Sequence, residues 1–286
     1  MAPNWTTLVS TQALQQALGS DGLVVLDCRF ELTRPDAGRA AWEAGHIPGA
    51  SYADLNRDLS GPVSPLAGGR HPLPDPADLS RRLGDWGVTA GSQVVAYDAV
   101  GGMFASRLWW LLRWLGHERV AVLDGGYPAW VGEGGPVDQN VPAPRRSQFS
   151  GRPGAMPVLG AGAVAAGLAD HSLLLIDSRA KARFLGRQEP LDKVAGHIPG
   201  AINLPQAEHL DADGRFRPAE ELAAQFGAVL SDHPPSQAAC MCGSGVTACH
   251  SLLAMAHAGI TGAALYAGSW SDWISDARRP VATEDD

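Results

Sequence analysis

The sequence predicts an α/β protein of two tandem domains, each with a mostly parallel β-sheet flanked by helices. The chain has 286 residues, a length that suits two ordinary domains better than one. Short apolar stretches typical of strands alternate with stretches typical of helices, for example residues 94–97, 104–115 and 120–123. This alternation, punctuated by glycine, indicates βα units and therefore parallel strand pairing.

The sequence contains one internal repeat. Residues 44–50, Ala-Gly-His-Ile-Pro-Gly-Ala, return as residues 195–201, which lie 151 positions later. Each copy follows an apolar stretch closed by Asp-x-Arg, at 27–29 and at 177–179. We expect each Asp and Arg to form an ion pair that fixes the turn after its strand. The long period indicates a duplicated domain, since solenoid repeats are much shorter.

The domain boundaries follow from the repeat and from composition. Residues 132–157 contain five glycines, five prolines and little apolar pattern, which is typical of a linker. We therefore predict an N-terminal domain over residues 1–135, a linker over 136–155 and a C-terminal domain over 156–286.

One segment carries residues suited to nucleophilic chemistry. The apolar run 238–241 predicts the end of a buried strand, and residues 247–258 predict a helix of small residues. Between them, Gly243 and Gly245 allow backbone N–H groups to turn inward toward Cys242. Inward amides and a helix N-terminus favour an anion, so Cys242 is the predicted nucleophile.

Only the second half carries this thiol. Sites in parallel sheets lie at the carboxyl ends of the strands, and Cys242 is at such an end. The equivalent place in the first half is Asp98, followed by Ala-Val-Gly-Gly. We therefore expect the N-terminal domain to be catalytically inactive and the C-terminal domain to be catalytic.

The repeated Gly-His-Ile-Pro-Gly-Ala segments, the Cys-Gly-Ser-Gly-Val-Thr-Ala loop and the segment Trp-Trp-Leu-Leu-Arg-Trp-Leu-Gly-His at 109–117 resemble the tandem-domain rhodanese family. The similarity runs from about Leu23 to Trp273. Members of that family are thiosulfate and 3-mercaptopyruvate sulfurtransferases. The resemblance implies transfer of a sulfane sulfur through a cysteine persulfide, with no metal and no organic cofactor.

The resemblance also implies a cradle for the charge of the persulfide. Backbone amides supply its hydrogen bonds without a counter-charge that must be desolvated. The residues of this predicted cradle are Gly243, Ser244, Gly245, Val246 and Thr247. A thiol phosphatase is disfavoured, because such enzymes clamp phosphate with an Arg six residues after the Cys and Ala248 stands there.

The loop resembles the mercaptopyruvate type more than the thiosulfate type. Ser244 is then a hydroxyl that passes a proton to the donor or holds a water, and a His of the N-terminal half that acts with it matches His71. The acidic residue expected beside them falls on Asn56, which cannot ionise. Thiosulfate:cyanide sulfurtransferase is therefore the alternative to mercaptopyruvate sulfurtransferase.

The carboxylate-binding residues of the mercaptopyruvate type match only in part. A first Arg matches Arg183, but the second, expected directly after Glu189-Pro190, is Leu191. Arg187 is the nearby candidate to substitute for it. Further hypotheses are a persulfide relay to a protein partner, a thioredoxin-like reductant as acceptor, and a scaffold with no activity, against which the intact loop argues.

Other conspicuous side chains have structural interpretations. His46 and His197 recur in both halves, so we expect them to form structural hydrogen bonds. Cys240 is expected to be a buried apolar residue, although a redox pairing with Cys242 is conceivable. Zinc binding by the cysteines near His250 is disfavoured, because the second, distant ligand pair of a usual zinc site is absent. Trp109, Trp110 and Trp114 are expected in the core and at the domain interface.

Composition limits the partners and the compartment. The formal net charge of −8 argues against nucleic acid or an anionic membrane as the main partner. The first residues lack a secretory signal pattern, and the four cysteines do not resemble a disulfide framework. We therefore expect a cytoplasmic protein with reduced thiols.

Overall fold

The computed structural model describes residues 4–64, 69–143 and 146–284. Within these ranges the chain forms two five-stranded parallel sheets flanked by helices. The strands are β1 (Leu8–Val9), β2 (Leu23–Asp27), β3 (Ser51–Tyr52), β4 (Gln93–Tyr97), β5 (Val120–Leu123), β6 (Val158–Leu159), β7 (Leu174–Asp177), β8 (Ile202–Asn203), β9 (Ala238–Met241) and β10 (Ala264–Tyr266).

Helices connect the strands in both halves. The helices are α1 (Thr11–Ala17), α2 (Ala37–Ala44), α3 (Pro76–Asp85), α4 (Ala105–Trp114), α5 (Gly126–Gly132), α6 (Ala161–Ala169), α7 (Lys181–Phe184), α8 (Ala219–Leu230), α9 (Thr247–His257) and α10 (Ser269–Trp273). Short 3₁₀ turns cover Gln206–His209 and Pro235–Gln237. None of the helices in the described ranges has the length and apolar content needed to cross a bilayer.

The two sheets share one topology. The strand order is β1-β5-β4-β2-β3 in the first and β6-β10-β9-β7-β8 in the second, with parallel pairing throughout. Each position of one sheet therefore has its counterpart in the other. The predicted architecture of two tandem α/β domains is confirmed.

The described residues divide into two compact units that are not continuous in sequence. The first comprises Met1–Gly61, Pro74–Ala155 and Ala212–Phe216, and the second comprises Pro62–Leu73, Met156–Asp211 and Arg217–Asp286. Residues 62–73 thus lie in the first half of the sequence but belong to the second unit, and residues 212–216 lie in the second half but belong to the first. The domain ranges 1–135 and 156–286 stay predictions.

The central strands are buried on both faces. Every residue of β4 and of β9 is buried, because helices cover both sides of a parallel sheet. In the first unit, Trp109 and Trp110 of α4 are fully buried, as predicted for core residues. Because these strands have no polar face, we expect functional side chains at the ends of the strands, in the loops that lead to the helices.

A buried ion pair closes the first central strand of each unit, as predicted. Arg179 donates from Nη2 to Asp177 Oδ2 at 2.6 Å and to the carbonyl of Gly196 at 2.8 Å. In the first unit, Arg29 makes the same bonds to Asp27 at 2.6 Å and to the carbonyl of Gly45 at 2.7 Å. Each arginine therefore ties a strand end to the repeated His-Ile-Pro-Gly turn.

The repeated histidines hold the same turns. His46 Nδ1 donates to the carbonyl of Trp42 at 2.8 Å, and His197 Nδ1 donates to the carbonyl of Phe184 at 2.8 Å. The His197 ring also stacks on Phe184 with the ring centroids 3.7 Å apart. Both contacts agree with the predicted structural role.

We predict that Arg179→Ala lowers the free energy of unfolding by about 3–5 kcal/mol, because it leaves the buried Asp177 carboxylate without its cation. Urea denaturation followed by tryptophan fluorescence measures this. Arg278→Ala is the matched control, since its ion pair with Asp276 is exposed and its loss should leave the transition nearly unchanged. Equal shifts in the two variants would contradict the prediction.

Candidate active site

Cys242 lies directly after β9 and five residues before α9, as the sequence predicts. The strand occupies the predicted residues, and the helix ends at His257, one residue short of the predicted end. The thiol-bearing residue is 2% exposed. Cys242 therefore stands at the carboxyl end of a central strand, beneath a loop that leads into a helix.

The start of α10 holds the loop in place. The N–H of Cys242 donates to Ser269 Oγ at 3.0 Å, and the N–H of Trp270 donates to the carbonyl of Cys242 at 3.0 Å. The N–H of Ser271 donates to the carbonyl of Gly243 at 3.0 Å. These three bonds fix the backbone on both sides of the thiol.

Two glycines of the loop are needed for different reasons. Gly245 has a φ of +76°, and a Cβ there would lie 2.3 Å from the carbonyl oxygen of Ala267. A Cβ on Gly243 would lie 3.0 Å from Nη2 of Arg70 and 3.4 Å from Nη1 of Arg183. Gly245 thus permits a close approach of backbone, and Gly243 leaves room for two guanidinium groups.

His71 and Ser244 lie together, as the sequence predicts. His71 Nδ1 and Ser244 Oγ share a hydrogen bond of 2.7 Å, and both residues are buried. His71 belongs to the segment Pro62–Leu73, which is part of the second compact unit. An imidazole and a hydroxyl in this arrangement can pass a proton to or from a group beside Cys242.

The segment that carries His71 is anchored next to the loop. Gly69 has a φ of +79°, and a Cβ there would lie 2.5 Å from the carbonyl oxygen of Gly268. The N–H of Arg70 donates to Ser271 Oγ at 3.0 Å. Glycine at 69 thus lets this segment reach the residues that support Cys242.

Arg183 lies in a network of ion pairs. Its guanidinium donates to both oxygens of Glu189, at 2.7 and 3.1 Å, and to Asp192 Oδ2 at 3.0 Å. Arg70 pairs with the other oxygen of Asp192. Burial opposes ionisation of Glu189, but the hydrogen bonds and charge of Arg183 outweigh it and hold the pKa of that carboxyl below its usual value.

The remaining sequence candidates lie elsewhere. Arg187 is mostly exposed, and its guanidinium pairs with Glu284 at 3.7 Å. The side chain of Leu191 is exposed, while its N–H donates to Glu189. Asn56 is an exposed residue of the first unit, and its N–H donates to Asp54. The structure therefore does not bring Arg187 into the network around Arg183.

The other cysteines of the second unit are buried. Burial, together with smaller effects of the neighbouring Cys249 and Cys242, raises the pKa of the Cys240 thiol to about 12. Cys249 Sγ lies 3.2 Å from the carbonyl oxygen of Gly245. Cys240 thus behaves as the predicted apolar residue. Among the described residues, no group of three or more His, Cys, Asp or Glu is arranged to hold a metal ion.

The equivalent loop of the first unit encloses a carboxylate. Asp98 follows β4 and accepts hydrogen bonds from four backbone N–H groups, at 2.7–2.9 Å. Its donors are the amides of Val100, Gly102, Phe104 and Ala105. Burial raises the pKa of Asp98, and these four hydrogen bonds act in the opposite direction. The loop between strand and helix is therefore a cradle that binds an anion through amides.

Sequence reasoning missed Arg70 and Asp192 as neighbours of the loop. Arg70 directly precedes His71, and Asp192 directly follows Leu191. Adjacency to a predicted site residue was the only signal for either one. Neither belongs to the repeat or to the cysteine loop.

Comparison with known proteins gives consistent results across both halves. The family model of the rhodanese-like domain matches residues 10–133 and 161–276. The Pseudomonas aeruginosa protein named "Probable 3-mercaptopyruvate sulfurtransferase" is 48% identical over 279 residues, covering 97% of this chain and 98% of that protein. Thiosulfate sulfurtransferase of Mus musculus is 34% identical over 284 residues, covering 96% of this chain and 93% of that protein.

Solved structures of sulfurtransferases share the fold. The 3-mercaptopyruvate sulfurtransferase from Leishmania major superposes with a TM-score of 0.84 at 28% identity, covering 96% of this chain and 76% of that chain. SseA from Escherichia coli, a 3-mercaptopyruvate sulfotransferase, superposes with a TM-score of 0.79 at 30% identity. That match covers 93% of this chain and 100% of SseA.

We predict that Gly245→Ala lowers the free energy of unfolding by at least about 2 kcal/mol, because an L residue there is strained and its Cβ meets backbone. Chemical denaturation of the full chain measures the change. Gly227→Ala, in the middle of α8 where a Cβ meets no neighbour, is the control and should be neutral or stabilising by up to about 1 kcal/mol. Equal stability of the two variants would contradict the assigned close approach.

Proposed function

Because the chain belongs to the rhodanese family and is a sulfurtransferase, we propose that it moves a sulfane sulfur from 3-mercaptopyruvate to a thiol or cyanide through a persulfide on Cys242. The observation that carries the choice of donor is the 2.7 Å hydrogen bond between His71 and Ser244. Sulfur removal from mercaptopyruvate leaves an enolate, which needs a proton. Removal from thiosulfate leaves sulfite, which does not.

In the first step, the Cys242 thiolate attacks the sulfur of mercaptopyruvate. A sulfur–sulfur bond forms, the carbon–sulfur bond breaks, and its electron pair stays on carbon as the enolate of pyruvate. Ser244 delivers a proton to that carbon and regains one from the imidazole of His71. The products are pyruvate and a persulfide on Cys242.

In the second step, the acceptor takes the outer sulfur. A thiolate or cyanide attacks that atom, the sulfur–sulfur bond breaks, and the electron pair returns to Cys242 as thiolate. The reaction is a two-step exchange through one covalent intermediate, so we expect ping-pong kinetics. No oxidant, metal or organic cofactor takes part.

We propose that the loop amides stabilise the negative charge of the persulfide. The amides in question belong to Gly243, Ser244, Gly245, Val246 and Thr247. The Asp98 carboxylate in the equivalent loop of the first unit supports this, because four amides bind an anion there. That internal carboxylate also supports a first domain without catalytic activity.

Arg183 is proposed to bind the donor's carboxylate. Its guanidinium lies beside Gly243, and its salt bridges to Glu189 and Asp192 hold its planar fork in one orientation. Because Glu189 occupies Nε and Nη2, the proposed donor to the substrate carboxylate is Nη1, the atom that lies beside Gly243.

Thiosulfate is the second candidate donor. Two guanidinium groups beside Gly243 also suit a sulfonate, and relatives named thiosulfate sulfurtransferase cover nearly the whole chain. A protein acceptor, such as a thioredoxin-like reductant, is compatible with the same persulfide. A cytoplasmic location remains part of this proposal.

We predict that Cys242→Ser abolishes sulfur transfer from every donor without unfolding the protein, because a serine hydroxyl is not ionised near neutral pH and stores no sulfane sulfur. Mass spectrometry after incubation with donor should show one added sulfur atom on wild type and none on the variant. Cys249→Ser and Cys240→Ser are the matched controls and should keep most activity. Normal turnover by Cys242→Ser would overturn the mechanism.

We predict that Arg183→Ala lowers kcat/KM for mercaptopyruvate by about one to two powers of ten, since a charged hydrogen bond to an anion is worth roughly 1.5–3 kcal/mol. The loss should appear mostly in KM, because the contact is the same in ground and transition states. Steady-state kinetics with mercaptopyruvate and thiosulfate measure it, with the unfolding midpoint recorded alongside.

Leu191→Arg should improve use of mercaptopyruvate, because the exposed side chain of residue 191 neighbours the same carboxylate network. The same kinetic comparison applies. A wild type that prefers thiosulfate at least tenfold, with mercaptopyruvate turnover indifferent to Arg183→Ala, would favour the second candidate donor.

A further inference from the structure

We propose that Arg70 binds the carboxylate of the sulfur donor and thereby selects for donors that carry one. This inference rests on the proposed function, because it concerns the same loop and the same first step. Arg70 lies between Gly69 and His71, the residue proposed to transfer the proton. It joins Arg183 to form a site with two guanidinium groups.

The position of Arg70 relative to the nucleophile supports this role. Its Nη2 atom would be 3.0 Å from a Cβ on Gly243, the residue after Cys242. The Nη1 atom of Arg183 would be 3.4 Å from the same point. Two guanidinium groups from distant parts of the sequence therefore converge on the backbone next to the reacting thiol.

The cluster already binds one carboxylate between its two cations. Asp192 accepts from Arg183 through Oδ2 at 3.0 Å and pairs with Arg70 through Oδ1, and its side chain is almost fully buried. This bridge demonstrates that the spacing of the two cations suits a carboxylate. A second carboxylate next to it can share the same cations.

Arg70 has more uncommitted hydrogen-bonding capacity than Arg183. The guanidinium of Arg183 is engaged by Glu189 through two donors and by Asp192. That of Arg70 contacts Asp192 alone, and its buried Nε has no hydrogen-bond partner among the described residues. Buried donors are rarely left unpaired, so this nitrogen points to an incoming acceptor.

The exposed fractions of the two arginine side chains also favour Arg70 as the residue that meets the donor. The side chain of Arg70 is 29% exposed, and that of Arg183 is 17% exposed. A donor anion that arrives from solvent therefore meets Arg70 more readily. With the carboxylate on Arg70, the α-keto acid lies over Gly243, and its sulfur can reach Cys242.

The test compares two donors that differ only in the carboxylate. Mercaptopyruvate carries it, and 1-mercaptopropan-2-one has a methyl group in its place with the same carbonyl and thiol. We expect Arg70→Ala to lower kcat/KM for mercaptopyruvate at least tenfold, mostly through KM, and to change kcat/KM for the uncharged donor less than twofold. Equal losses with both donors would show that Arg70 acts only through the local structure.

Matched variants separate charge from geometry. Arg70→Lys keeps the charge but loses the planar fork, so kcat/KM for mercaptopyruvate should fall between wild type and Arg70→Ala. Arg278→Ala removes one positive charge from a side chain that is 90% exposed, and it should leave both donors unaffected. If Arg70→Ala does not fold, an Arg70→Lys variant with the donor preference of wild type overturns the inference.

The same experiment distinguishes this inference from the proposed function. A wild type that forms no persulfide with mercaptopyruvate would refute the function itself. A wild type that does so, with a donor preference unchanged in Arg70→Ala, would refute only the role of Arg70. Thiosulfate is the third arm, and a loss confined to thiosulfate would assign Arg70 to the sulfonate and overturn the carboxylate assignment.

Discussion

The buried pair of Asp177 and Arg179 is the constraint on which the second unit's site depends. A buried guanidinium is tolerable only with a carboxylate beside it, and both side chains are at most 1% exposed. Arg179 ties the end of β7 to the carbonyl of Gly196 and lies over the ring of Trp270, 4.7 Å from its centroid. The backbone N–H of Trp270 in turn donates to the carbonyl of Cys242. The loop that carries Cys242 is therefore linked to a buried charge pair through Trp270, whose ring contacts Arg179 and whose backbone N–H contacts the loop.

The loop that follows the central strand differs between the two units in the residue with which it begins. In the first unit the amides after β4 surround the carboxylate of Asp98, which is covalently part of the chain and stays in place. In the second unit a thiol stands at that point, and the loop to the helix is two residues shorter, since α9 begins five residues after Cys242 and α4 begins seven after Asp98. A carboxylate that belongs to the chain stabilises the loop of the first unit permanently through these amides. The first unit thus has a carboxylate after its central strand, and the second has a thiol at the equivalent position.

Much of the fold and part of the site could be predicted from sequence because they depend on local patterns. The alternation of strands and helices, the paired Asp-x-Arg motifs and the position of Cys242 follow from periodicity, repetition and glycine placement. Arg70 and Asp192 could not be predicted in this way, because their proximity comes from the path of residues 62–73 onto a unit that is distant in sequence. Arg187 was the expected second cation, but α7 ends at Phe184 and the chain turns at Gly186, which has a φ of +72°, so that Arg187 pairs with Glu284 at the surface instead. Contacts between residues that are far apart in sequence depend on the tertiary path of the chain. No short sequence motif specifies that path.

The exchange of short segments between the compact units separates what is contiguous in the gene from what folds together. Residues 62–73, with Arg70 and His71, are encoded within the first half but belong to the second unit, and residues 212–216 are encoded within the second half but belong to the first. A genetic fragment cut at the linker therefore encodes neither unit whole. The half of the sequence without Cys242 therefore supplies the segment whose His71 contacts Ser244 in the loop after Cys242.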